Sequence, residues 1–331
     1  MALEVHHRYT TTRNRLIRDA TLQAVYEEMK RDPSIYIMGE GASMKMHYDA
    51  PMIEKEFPDR IVTLPISEDG NTNFGVGASL LGVKPVIDVI AADFMYRTMD
   101  SICNTAAKIN FVSGGLGDPK TIVVKAEFIT AGPTTGQRIE SLFPHIPGLN
   151  VMIPSNPHDA KGLMATALST PGVTLFFEDR EISDAPMKPE DLAPLGRYTV
   201  PFGSARLRRT GTDLTVLSYA LTVRVAESAV EEHRINCDLI DLRSIYPVDY
   251  ATICDSVNKT GRLLIVEPDV TYAGVGAEIA AQVGERCWGR LRRPIARLGV
   301  PRTTIPASAS LHRNLIPSEQ QVVDAVRGLA S

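Results

Sequence analysis

Glu68 and Asp69 follow the short run Pro65-Ile66-Ser67 and open a glycine-rich stretch containing Gly70, Gly75, Gly77 and Gly82. A carboxylate between a strand end and a helix start can serve as partner to the helix dipole. It can equally meet a ligand bound at the carboxyl ends of parallel strands, where acid and base groups collect. The glycines suit close helix packing, with Gly75 and Gly77 as the contact points. They form no phosphate cradle, because neither G-x-x-x-x-G-K-[ST] nor G-x-G-x-x-G occurs here. GVGAEI at 274–279 also fails the dinucleotide pattern, since its third glycine is missing. Asp100, Asn104 and Lys108 recur every four residues and form a polar row on one helix face. Cys103, Cys237, Cys254 and Cys287 are scattered singly, which suggests neither a zinc site nor a disulfide framework. They read as buried or half-buried small apolar residues.

The elements that must position these groups are legible as a strand–helix alternation. Leu16, Ala20 and Ala24, with the offset row Ile17, Val25 and Met29, mark a helix that ends before Asp32-Pro33. Strands are predicted at 34–41, 61–66, 85–90, 121–127 and 150–154, and helices at 71–82 and 159–169. Met95, Met99, Ile102, Ala106 and Ile109 form a further helical stripe. Asp159 reads as the cap of the helix it precedes. Prolines cluster between Asp179 and Pro201, as in a linker. Beyond it, strands at 213–219, 237–242 and 261–267 alternate with helices at 222–233, 248–257 and 275–287. A last helix opens with Ser318 and Gln321 at capping-box spacing. The fold class is α/β with two doubly wound, mostly parallel-sheet domains. They are placed at 1–185 and 204–331, joined by a linker at 186–203.

Composition narrows the function. The chain has 331 residues, enough for two cores, and its 44% apolar and 22% charged content is ordinary for a globular protein. With 39 acidic against 35 basic residues the net charge is −4, so there is no basic field for a nucleic-acid backbone. No apolar run reaches the ~20 residues that span a bilayer, and the N-terminus lacks a signal-peptide core. A cytoplasmic location is expected.

Several blocks occur in an order that resembles one family. They are PISEDG (65–70), DVIAADFMYRTMDSICNTAAKINFVSGG (88–115), HIPGLNVMIPSNPHDAKGL (145–163), IDLRSIYPVDYATI (240–253), KTGRLLIVE (259–267) and GVGAEIAA (274–281). The family is the beta subunit of the thiamine diphosphate-dependent decarboxylating component of 2-oxoacid dehydrogenase complexes, of the pyruvate and branched-chain type. The resemblance runs from about residue 15 to 328 and implies a transketolase-like pyrimidine-binding domain followed by a transketolase C-terminal-like domain.

At matching positions the resemblance implies roles. Glu68 stands where the family's glutamate hydrogen-bonds the coenzyme's pyrimidine nitrogen and so makes the thiazolium carbon reactive. Phe94 stands where an aromatic ring stacks on that pyrimidine, and Ile66 where an apolar side chain neighbours it. The diphosphate end is held in this superfamily by Mg²⁺ through a Gly-Asp-Gly sequence and a distant Asn, because a hard cation takes oxygen ligands. The nearest segment here is Gly117-Asp118-Pro119, without an asparagine at the right distance. An alpha subunit is therefore expected to supply the metal ligands, with the coenzyme at an interface in an α2β2 heterotetramer.

Two positions depart from the family. Thr135 replaces a histidine expected to manage a proton during acyl transfer to a lipoyl arm, and threonine cannot titrate near neutrality. Arg97, three residues after Phe94, stands where relatives carry Gln or Pro, and reads either as a cation for a substrate carboxylate or phosphate or as a surface ion-pair partner. His47, in a segment that leaves the family pattern, is a further candidate at the mouth of the site. Three readings follow: an ordinary 2-oxoacid dehydrogenase beta subunit; a split transketolase-like enzyme moving a two-carbon ketol or glycolyl unit to a non-lipoyl acceptor, such as a carbonyl compound or carrier-protein thiol; and a catalytically silent partner subunit. The retained Glu68 and Phe94 weigh against the third.

Overall fold

The computed structural model describes residues 13–14, 16–40, 51–114, 120–129, 132–182 and 187–330. His47 and Gly117-Asp118-Pro119 lie outside the described residues. The chain divides into two compact units, the first within Met1–Ile129 and Leu142–Phe202, the second within Thr130–Ser141 and Gly203–Ser331.

In the first unit, α1 (Ile17–Arg31) precedes β1 (Ile35–Gly39), and β2 (Ile61–Thr63) leads to α2 (Glu68–Leu80). Then come β3 (Lys84–Ala91), β4 (Thr121–Phe128), β5 (Leu149–Met152), α3 (Pro157–Ser169) and β6 (Gly172–Asp179). The six strands lie in the order β5-β6-β4-β3-β1-β2, and every neighbouring pair is parallel. A parallel sheet is covered on both faces, which is why β4 is buried along its whole length. The chain leaves β1 for β2 on one side and returns to β3 on the other. The carboxyl ends of β1 and β3 therefore flank a topological switch point, the ligand crevice of such sheets.

The structure refines several expectations. β2 ends at Thr63 rather than residue 66, and α2 starts at Glu68 rather than residue 71. Asn156, not Asp159, caps α3: its Oδ1 accepts the Asp159 N–H at 2.9 Å, while Asp159 accepts from Asn156 Nδ2 at 2.7 Å. The proline-rich stretch is tied down within this unit. Buried Lys161 donates to the carbonyls of Pro194 and Gly196 at 2.9 and 2.8 Å, and Ala193–Pro194 pairs with Arg13–Asn14.

In the second unit, β7 (Arg206–Arg209), β8 (Leu214–Ser218), α4 (Leu221–Glu232), β9 (Cys237–Asp241), α5 (Tyr250–Thr260), β10 (Leu263–Val270), α6 (Val275–Arg286), β11 (Ala296–Val300) and α7 (Glu319–Ala330) follow in turn. The sheet order is β11-β10-β8-β9-β7, parallel except for the β9–β7 edge pair. Val216, Leu239, Leu264 and Val266 from the sheet pack with Ala226 and Val230 of α4 and Val322 of α7. Ser318 and Gln321 form the expected reciprocal cap of α7, at 2.9 and 3.3 Å.

Candidate functional site

Three consecutive strand exits of the first unit deliver acidic groups to one place. Glu40 follows β1 directly, Glu68 follows β2 as the first residue of α2, and Asp88 lies near the carboxyl end of β3. The turn before α2 is held by Asn71, whose Nδ2 donates to the Pro65 carbonyl at 3.0 Å, and by the Thr72 hydroxyl donating to the Glu68 carbonyl at 2.8 Å. α2 can sit this close to the sheet because Gly75 has no side chain: a Cβ there would fall 2.4 Å from Cδ1 of Ile87. The packing contact expected at Gly77 is not made among the described residues, where the space around it is open.

β3 ends in a bulge. Its register against β4 shifts between Asp88 and Ala91, Ile90 adopts φ of 67°, and the Ile90 N–H donates to Asp88 Oδ1 at 3.0 Å. A β-branched residue in the left-handed region is costly, and bulges of this kind turn the chain beside functional sites. The turn sends the chain into a tight 3₁₀ segment, Ala92–Thr98, packed against α2. The helical stripe expected after Met95 is thus interrupted, with a π-helical turn at Ser101–Thr105 and a short α-helix only at Ile109–Val112. The Ser101 hydroxyl explains the change of winding: it donates to the Asp69 carboxylate and accepts from Asn73 Nδ2 at 2.6 Å, locking this segment onto α2. The row Asp100, Asn104, Lys108 forms an exposed relay of 2.7 Å hydrogen bonds.

The structure brings Glu68 and Arg97 into contact. Arg97 Nε lies 3.2 Å from Glu68 Oε2, with the glutamate side chain 8% exposed and the arginine 74% exposed. Phe94, on the same 3₁₀ segment, is half-buried, and Ile66 stands exposed ahead of α2. Glu40 is the group that sequence reasoning missed. Burial pushes its carboxyl up, the negative charges of Glu68 and Asp88 push it further, and the Ser67 N–H draws it back. The signal was present, since Gly39-Glu40 follows an apolar strand just as Glu68 does. Thr135 belongs to the second unit, where it is half-buried and its N–H donates to the Gly132 carbonyl at 3.2 Å.

The segment carrying Thr135 is anchored by buried charge. Arg138 meets Glu140 at 3.0 Å, and Glu140 has no exposed surface. Burial first, with Arg138 opposing and Asp269 adding, pushes the Glu140 carboxyl up to about 7.

Residues 14–184 match the transketolase pyrimidine binding domain, and residues 203–322 match the transketolase C-terminal domain. Beta subunits of the pyruvate dehydrogenase E1 component are 32% identical in Rickettsia felis over 94% of this chain and 97% of theirs, and 33% identical in Arabidopsis thaliana, a mitochondrial form, over 93% and 87%. This chain belongs to the transketolase-like family of 2-oxoacid dehydrogenase beta subunits. The beta subunit of an acetoin:2,6-dichlorophenolindophenol oxidoreductase from Cupriavidus necator is similar to the same degree, 32% identical over 94% of this chain and 96% of its own length. A solved structure described as a split gene transketolase, inactive beta4 tetramer, shares the fold of this family member with a TM-score of 0.79 at 19% identity, covering 95% of this chain and 98% of that one. Among the described residues of the family member, no helix is long and apolar enough to cross a membrane.

Proposed function

We propose that this chain is the beta subunit of a thiamine diphosphate-dependent enzyme that decarboxylates a 2-oxoacid and passes on the acyl or aldehyde unit, with the coenzyme bound against an alpha subunit. The observation that carries this reading is Glu68, an 8% exposed carboxylate at the start of α2 beside the switch point of a parallel sheet. Family membership supports it. The donor set fits the pyrimidine end of the coenzyme: a carboxylate for a ring nitrogen, a half-buried aromatic ring at Phe94 and an exposed apolar side chain at Ile66. For the diphosphate end the sequence offers no Gly-Asp-Gly, its nearest segment being Gly117-Asp118-Pro119. Mg²⁺ and its ligands are therefore assigned to the partner, in an α2β2 assembly working in the cytoplasm.

When bound, the coenzyme supplies the nucleophilic carbon that attacks a 2-oxo group. Glu68 would hold the ring nitrogen by a hydrogen bond, Phe94 would orient the ring by stacking and Ile66 would shield its edge from water. Glu68 and Asp88 both act on neighbouring Glu40 and push its carboxyl up, so three carboxylates meet at this end of the sheet. Arg97 as a contact for an anionic substrate belongs to the same proposal, as does the candidate His47, which lies outside the described residues.

Thr135 supports a second reading, in which the acceptor is a carrier-protein thiol or a carbonyl compound in a split transketolase-like reaction, because a lipoyl acceptor calls for a titrating group there. The decisive experiment is Glu68→Gln in the complex reconstituted with its alpha partner and assayed with 2-oxoacids and ketose phosphates. Loss of coenzyme-dependent turnover with assembly intact is expected. Unchanged turnover overturns both readings.

A further inference from the structure

The contact between Arg97 and Glu68 places a cation on the carboxylate that the coenzyme reading assigns to a ring nitrogen. Arg97 reaches it through Nε at 3.2 Å from the 3₁₀ segment, while most of the arginine side chain remains in solvent. The asymmetry decides which partner depends on the contact. A guanidinium that is 74% exposed returns to water at little cost, whereas a carboxylate that is 8% exposed has few other partners. Among the described residues, Glu68 and Asp88 both act on neighbouring Glu40, so the arginine adds a cation to a concentration of negative charge.

We propose that Arg97 is a positioning residue that holds Glu68 as a removable counter-ion and yields the carboxylate when the pyrimidine arrives. The proposal rests on the reading of Glu68 given above. One physical fact requires the exchange: guanidinium and ring nitrogen draw on the same nearly buried carboxylate. The arginine thus offsets negative charge beside the acid before the coenzyme binds, and must withdraw afterwards.

The test is equilibrium titration of thiamine diphosphate into the complex reconstituted from this chain and its alpha partner, with Mg²⁺ present, followed by calorimetry. Removal of the competitor in Arg97→Gln should tighten coenzyme binding by a factor of about three to ten, the range between an exposed and a half-desolvated pair. Arg97→Lys, which restores the cation, should return the affinity toward that of the unaltered chain. In the Glu68→Gln background, Arg97→Gln should change nothing, because the acceptor charge is already gone. Coenzyme affinity that is unchanged or weaker in Arg97→Gln overturns the proposal, as does an equal gain in the Glu68→Gln background. If Glu68→Gln itself leaves coenzyme affinity and turnover untouched, the failure belongs to the coenzyme reading rather than to the role of Arg97.

Discussion

Gly39, the last residue of β1, passes so close to β3 that a Cβ on it would lie 2.4 Å from the carbonyl oxygen of Asp88. Its φ of 133° is open to glycine and strained for any other residue. The two constraints act together, and the next residue is Glu40. Gly39→Ala should lower stability by about 2–4 kcal/mol, from backbone strain and overpacking combined. Because the displaced backbone carries Glu40 and Asp88, coenzyme affinity of the reconstituted complex should fall as well. Denaturant unfolding and coenzyme titration measure the two effects separately.

Glu140 gives the second unit a pH dependence of known sign. Its carboxyl is pushed from 4.5 up to about 7 by burial and by Asp269, against the pull of Arg138. A raised carboxyl in the folded state favours its protonated form, so the stabilisation is complete below the unfolded value near 4.5 and is lost as pH rises toward 7. Over that window the group should cost about 3 kcal/mol, with little further change well above pH 7. Glu140→Gln should flatten the fall in melting temperature between pH 4.5 and 7. An unaltered pH profile in this variant would show that the carboxyl titrates normally.

Ser101 links the π-helical turn to α2 through Asp69 and Asn73. Ser101→Ala leaves both partners without it and should destabilise the chain by about 1–2 kcal/mol. The turn continues from the segment bearing Phe94 and Arg97, so the Arg97–Glu68 contact should loosen too. Amide hydrogen exchange across 92–105 would report this as faster opening. Stability loss without faster exchange there would confine Ser101 to local packing.

In the proposed second reading Thr135 stands in place of a titrating histidine, and Thr135→His supplies that group. In the reconstituted complex it should raise acylation of a lipoyl domain by about 10²-fold, the usual worth of a placed acid or base. A gain would assign the lost lipoyl chemistry to this single side chain. No gain would put the difference elsewhere in the acceptor path.

The thiol of Cys237 is buried, and its pKa is pushed up to about 12 by burial, with Arg209 opposing. Little thiolate exists at neutral pH, so iodoacetamide should label this residue only after unfolding. Rapid labelling of the folded chain would contradict the packing of β9.

Much of this architecture was legible because its signals are local. Apolar strand runs followed by amphipathic stripes located most of the sheets, and the Ser318 and Gln321 spacing located the start of α7. β6 escaped because Val173–Phe177 is an apolar run too short to tell from a buried helix, and because Glu178 reads as a surface residue. Its buried role appears only across the sheet, where Lys125 of β4 meets it at 3.0 Å. The same distinction holds at the site. Glu68 was visible at a strand end, whereas its contact with Arg97 joins two connections and has no sequence signature. The break in the stripe after Met95 was likewise hidden, since apolar spacing cannot register a side-chain hydrogen bond that rewinds a turn.

Because Glu40, Glu68 and Arg97 leave the sheet by separate exits, the length of each exit is a working dimension of the protein. One residue inserted just after β1, β2 or β3 would displace a single participant while the other two stayed in place. Viable length variation in this unit should therefore gather at the opposite, amino-terminal edge of the sheet, where the incoming connections carry none of these groups.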